Sequence, residues 1–175
     1  MACLNLSSGR SLGCKNNVGG LKNVYFTAYG SLTETVVEGE VTAITGTPEL
    51  YKYEIKGSSS LETTINSSRE NGTTFYTSTL NLTLPILDRE TQQEIKILAA
   101  ERPIIFVEDY NGKLYLVGAQ NGAEVTGGTI VTGAAMGDLS GFTLTFEAQE
   151  KEPPLFVDPS IISAFIASET ISPNA

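Results

Sequence analysis

Catalysis needs side chains that hold a proton, a nucleophilic electron pair or a metal ion, and this chain is poorly stocked with them. Histidine is absent from its 175 residues, which removes Ser-His and Cys-His nucleophile systems and most catalytic metal sites. Ser140 sits in Gly137-Asp138-Leu139-Ser140-Gly141, yet the spacing is not Gly-x-Ser-x-Gly and no base is at hand, so an ordinary turn is expected. The glycines running from Gly127-Gly128 to Gly133 lead into no Lys-Ser or Lys-Thr, the pair a phosphate-cradling loop needs, and read as turns and bulges. Two carboxylate pairs, Glu108-Asp109 and Glu147 with Glu150, have the right chemistry for acid-base work on a glycoside. Solvated strand positions and surface ion pairs are the commoner use of such residues.

Cys3 and Cys14 have no further Cys or His to close a zinc shell, and free thiols are expected. Asn5, Asn66, Asn71 and Asn81 each fit the glycosylation acceptor pattern; with no secretory leader expected, they speak only for Ser/Thr-rich β structure. Tryptophan is missing, and with it the usual sugar-stacking platform, while seven tyrosines keep carbohydrate binding open. No residue is assigned a catalytic, cofactor-binding or metal-binding role, and the chain is not expected to be an enzyme.

Eleven basic against 20 acidic residues leave a formal charge of −9. Such a surface does not grip nucleic-acid phosphates, although DNA can pass it without sticking. The opening Met1-Ala2-Cys3-Leu4-Asn5 has no basic stretch followed by an apolar core, and no later run is long enough to span a bilayer. A soluble protein made in the cytoplasm, away from membranes, is expected. The length suits one domain able to bury a core unaided.

Whatever site exists must be positioned by a β scaffold. Ile104-Ile105-Phe106-Val107 reads as a short buried strand, and Asn111-Gly112 predicts a type I′ turn that folds residues 113–117 back onto it. In 142–149, Phe142, Leu144, Phe146 and Ala148 alternate with Thr143, Thr145, Glu147 and Gln149, the pattern of a strand with one dry and one wet face. Earlier strands are expected at 21–29, at 34–44 with Gly39 as a turn or bulge, at 50–56 and at 75–84. The polar stretch 57–74 is either a long hairpin protruding from the body or a flexible loop.

One helix interrupts the β pattern. Asp88 caps it, Ile95, Leu98 and Ala99 fall on one side, and Arg102-Pro103 stops it, so it plugs an end or flank of the sheets. Residues 1–20 read as an arm, 21–152 as a β-sandwich domain and 153–175 as a C-terminal arm in which regular pairing stops. That last stretch is apolar at Leu155, Phe156, Val157, Ile161, Ile162 and Phe165, so its own domain or another copy must cover it.

The run Gly19-Gly20-Leu21-Lys22-Asn23-Val24-Tyr25-Phe26, the segment Tyr51-Lys52-Tyr53-Glu54-Ile55-Lys56-Gly57-Ser58, the stretch Ser67-Ser68-Arg69-Glu70-Asn71-Gly72-Thr73 and the long Gly/Thr-rich region 127–146 together resemble virion structural proteins of tailed bacteriophages. Within that group the chain looks most like a tail tube protein. The resemblance implies a mainly β fold, a two-sheet sandwich or barrel-like body with one flanking α-helix and extended terminal arms. It implies subunits that join edge to edge into rings, commonly hexameric, stacked into a hollow tube of the virion that conducts genomic DNA during ejection and is assembled in the host bacterial cytoplasm. The partners implied are copies of itself, met through sheet edges, residues 57–74 and both arms, other virion tail proteins, and double-stranded DNA passing through the lumen unbound. No cofactor and no membrane enter. On that reading the acidic, Thr-rich wet face repels phosphate and lets DNA slide. A capsid decoration, tail terminator or baseplate role, or a carbohydrate-binding or adhesin-like β module, is the alternative.

Overall fold

Eleven strands in two sheets form the computed structural model, in which residues 6–55, 57–168 and 171 are described. The strands are β1 Leu21–Thr27, β2 Leu32–Val37, β3 Glu40–Gly46, β4 Tyr51–Glu54, β5 Ser60–Ser68, β6 Thr73–Pro85, β7 Ile104–Asp109, β8 Leu114–Val117, β9 Glu124–Val131, β10 Gly141–Glu150 and β11 Leu155–Val157. Helix α1 Arg89–Ala100 lies between β6 and β7, and the one-turn α2 Pro159–Ile162 follows β11. One sheet has the order β2-β3-β11-β8-β7-β1-β4, the other β5-β6-β10-β9. The mainly β, two-sheet body with a helix at its flank is the architecture expected from the sequence. Among the described residues no helix is long and apolar enough to cross a membrane.

β7 shows why its sequence is an unbroken apolar run. It sits inside the seven-stranded sheet, between β8 and β1, with Ile104, Ile105, Phe106 and Val107 all buried. Ile105 and Val107 pack with Val24, Phe26 and Val117 in the core between the sheets. Ile104 and Phe106 pack with Tyr25, Leu114 and Leu116 in a second core on the opposite face. A strand buried on both faces cannot alternate. β10 is buried on one face only and does alternate: Phe142, Leu144, Phe146 and Ala148 join the inter-sheet core, and the residues between them are wetter. Each such large side chain contributes about 1.5–3 kcal/mol through burial.

Helix α1 starts where Asp88 accepts hydrogen bonds from the Thr91 backbone N–H at 2.9 Å and the Thr91 hydroxyl at 3.1 Å. The backbone bond from Thr91 holds the Asp88 carboxyl below its ordinary range. Ile95 is buried and Leu98 packs against the inter-sheet core. Ala99, expected on the same side, is exposed, because the stripe facing the sheets is only two residues wide here.

Two turns differ from expectation. Asn111-Gly112 does not form a type I′ turn, since only Gly112 has positive φ, at 77°. The Gly112 N–H donates to the Asp109 carbonyl at 3.2 Å, and the Asp109 N–H donates to the Lys113 carbonyl at 3.0 Å, the pattern of a type I turn closed by a glycine bulge. Asp109 selects it by accepting from the N–H groups of Asn111 and Lys113. The positive-φ pair lies instead at Glu38 (52°) and Gly39 (84°), joining β2 to β3 with Val37 opposite Glu40. Residues 34–44 are therefore two strands of a tight hairpin.

Of the two readings of 57–74, the hairpin is correct. β5 pairs with β6 from Ser60–Asn81 to Ser68–Thr73. Burial lapses beyond Ser78, and Ile65 and Phe75 stand exposed near the tip. At about 3.4 Å per residue, the five residues beyond Ser78, from Thr77 to Thr73, project roughly 17 Å.

The stretch 153–175 is not an arm in its described part. β11 is wedged between β3 and β8, parallel to the first and antiparallel to the second. Leu155, Ile161 and Phe165 then pack over the second core with Val157 and Ile162 buried in it. Leu50 and Ile166 form a parallel bridge, with the Leu50 N–H bonded to the Phe165 carbonyl at 2.9 Å. The chain's own sheet covers the apolar tail, because β3 and β8 leave a gap one strand wide.

Candidate functional site

The outer face of the four-stranded sheet is the strongest candidate. None of β5, β6, β9 and β10 contains Lys or Arg. The face opposite Leu80, Leu82, Phe142 and Leu144 is made mostly of hydroxyl and amide side chains. They bond to one another across strands: Thr129 to Thr143 at 2.5 Å, Thr145 to Asn81 at 3.0 Å, and Asn66 to Thr77 at 2.9 Å. Cross-strand bonding holds this hydroxyl layer in fixed positions.

Across it runs one acidic row. In register, Glu62 stands opposite Thr79, Thr79 opposite Glu147, and Glu147 opposite Glu124. Two carboxylates directly opposite each other repel, and no cation on the sheet offsets them. The Glu147 side chain accepts from Gln149 at 3.0 Å, a neutral partner. Strands about 4.8 Å apart place all three carboxylates within about two Debye lengths of one another.

The carboxylate pairs expected to be capable of acid-base work are separated by the fold. Glu150 is 7% exposed and accepts from the N–H groups of Gly118 and Gln120, at 3.2 and 2.8 Å. It holds the β8–β9 loop, while Glu147 faces outward. Glu108 accepts from the Asn23 amide at 2.6 Å and the Tyr25 hydroxyl at 3.2 Å, with Lys22 at 3.6 Å; its neighbour Asp109 is occupied by the turn. Ser140 is exposed in the β9–β10 connection, where its carbonyl accepts from the Ile86 N–H. Cys14 is exposed with a free thiol; Cys3 and Asn5 lie outside the described residues. Gly127 and Gly128 lie inside β9, whose bulge falls opposite Thr145–Phe146.

A groove of about 500 Å³ opens where the seven-stranded sheet extends past β5. Tyr115 and Phe156, with ring centroids 5.1 Å apart, lie on its floor. Two of its polar lining residues are already engaged: Asp109 serves the turn, and the Asn111 side chain exchanges two hydrogen bonds with the Val18 backbone. Among the described residues no group of three or more Asp, Glu, Cys or His is placed to hold a metal ion, and no buried side-chain polar atom lacks a partner.

The chain matches no protein-family model, no curated protein and no solved structure.

Proposed function

We propose that this chain is a structural protein of a tailed phage virion, a subunit that self-associates into stacked rings of a tail tube, with the cation-free sheet face turned to the DNA that passes through. One observation carries the reading: four adjacent strands without Lys or Arg, crossed by Glu62, Glu147 and Glu124. In an isolated chain this row costs stability and returns nothing. Facing a polyanion, it prevents the phosphate contacts that would hold DNA in place. The four sheet edges, β2, β4, β5 and β9, supply strands for pairing between subunits.

Negative-stain microscopy of purified protein is expected to show rings or tubes. Particles that stay single at high concentration and retain a glycan on the Tyr115–Phe156 floor would instead make it a carbohydrate-binding module. In assembled virions, Glu147→Lys with Glu124→Lys should leave rings intact and slow DNA release. Release at the unaltered rate removes the role given to the acidic row.

A further inference from the structure

We propose that residues 6–17 of one copy add as a strand to the free edge of β2 in a second copy. The inference rests on the self-association proposed above and names a site for it. The leading segment has the opposite charge to the body. Arg10 and Lys15 are its only charged side chains, and no acid precedes Glu34. Residues 1–20 thus carry +2 and residues 21–175 carry −11.

Residues 6–17 join no sheet, Leu6 and Leu12 are fully exposed, and neither Arg10 nor Lys15 makes an ion pair among the described residues. The root is fixed: the Val18 N–H donates to Asn111 at 2.9 Å and the Asn111 amide donates to the Val18 carbonyl at 2.7 Å. From there, twelve extended residues reach about 40 Å.

β2 offers the complementary surface. It ends the seven-stranded sheet, and Val36 and Val37 are 41% and 53% exposed. Glu34, Glu38 and Glu40 surround them, and no Lys or Arg occurs between Lys22 and Lys52. The other open edges fit less well. β4 carries Lys52, β9 runs beside a groove lined by Arg89 and Lys96, and β5 brings one acid, Glu62. Added to β2, the segment's backbone would satisfy the open edge, Leu12 would pack against the exposed valines and its cations would meet the glutamates.

The native Cys14 makes this testable. In a Cys3→Ser background, protein keeping Cys14 is mixed with protein carrying Cys14→Ser and Val36→Cys, then treated with a short bis-maleimide. A covalent heterodimer is expected. Its yield should fall about tenfold when Arg10→Glu and Lys15→Glu enter the first protein, and return when the second carries Glu34→Lys and Glu40→Lys. Ile130→Cys on β9, used in place of Val36→Cys, should give none. Equal cross-linking at Ile130→Cys, or a yield indifferent to the charge exchange, overturns the assignment. Sedimentation of the same mixtures separates the two levels: assemblies that form without the Val36→Cys cross-link overturn the β2 site alone, and a chain that sediments only as a monomer overturns self-association with it.

Discussion

Ile86 has φ 73°, a conformation that costs a β-branched residue about 1–2 kcal/mol relative to glycine. It is held at the β6–α1 corner by its N–H bond to the Ser140 carbonyl at 2.7 Å, and its side chain is partly exposed. Ile86→Gly is expected to raise stability by about 0.5–1 kcal/mol after the added freedom of the unfolded chain is counted, read from urea unfolding. A lower midpoint would show that the side chain packs more than its exposure suggests. Tyr25 and Tyr53 are pushed up to about 12, by burial first, with the charge of Glu108 adding at Tyr25 and that of Glu94 at Tyr53. When unfolded they ionise near their ordinary value of about 10, so their contribution is complete below pH ~10 and is lost as pH rises towards ~12. Ultraviolet titration should therefore show Tyr25 and Tyr53 ionising late, together with unfolding, with Tyr115 also displaced upward by burial and the Asp109 charge, and Tyr53→Phe should flatten the alkaline decline. Tyr25 and Tyr53 titrating near 10 in the intact fold would contradict this. At this scale the sequence was least informative: Glu150 resembles Glu147 in type and spacing, and only its through-space neighbours, Gly118 and Gln120, make it a buried strut.

At the scale of elements, alternation identifies β4, β6 and β10, apolar and aromatic runs identify β1 and β7, the turn at Asn111-Gly112 identifies β8, and the capping and apolar spacing identify α1 with Asp88 at its start. Three strands left no such trace. β5, Ser-Leu-Glu-Thr-Thr-Ile-Asn-Ser-Ser, is polar because much of it protrudes with both faces wet. β9 contains Gly127-Gly128, which disfavour a strand in isolation, although Gly128 permits the close approach of Thr143 and Leu144. β11 is three residues long, and its neighbours β3 and β8 make it a strand. The outer half of the β5–β6 hairpin contributes little to the isolated fold. Replacing Ile65, 66% exposed, and Phe75 by Ser should shift monomer stability by no more than about 0.5 kcal/mol. On the proposed self-association, the same double variant should reduce sedimenting assemblies, since both side chains stand exposed. A large loss of thermal stability with assembly unchanged would place the two residues in the monomer's own packing.

For the whole molecule, the decisive connection is β11. The β2–β3 hairpin is joined to the seven-stranded sheet only through β11, and the second core closes only when Val157 and Ile162 are in place. Truncation after Pro154 should therefore abolish cooperative unfolding, measured by near-ultraviolet circular dichroism during a urea titration. A soluble, cooperatively folding truncated chain would mean that β3 pairs directly with β8. The β scaffold is legible in the sequence from alternating and unbroken apolar runs, and its two-sheet form is what the resemblance to phage tail proteins implies. The closure of the larger sheet by residues 155–157 is not, because Pro153-Pro154 resembles an ending and the pairing partners lie about 40 and 116 residues earlier in the chain.

That wedge also sets a clock. A ribosome adding about 5–20 residues per second needs roughly 5–20 s after finishing β3 before β11 exists. Throughout that interval the first hairpin waits without its berth. A nascent chain released before residue 157 lacks the strand that ties the first hairpin to the rest of its sheet.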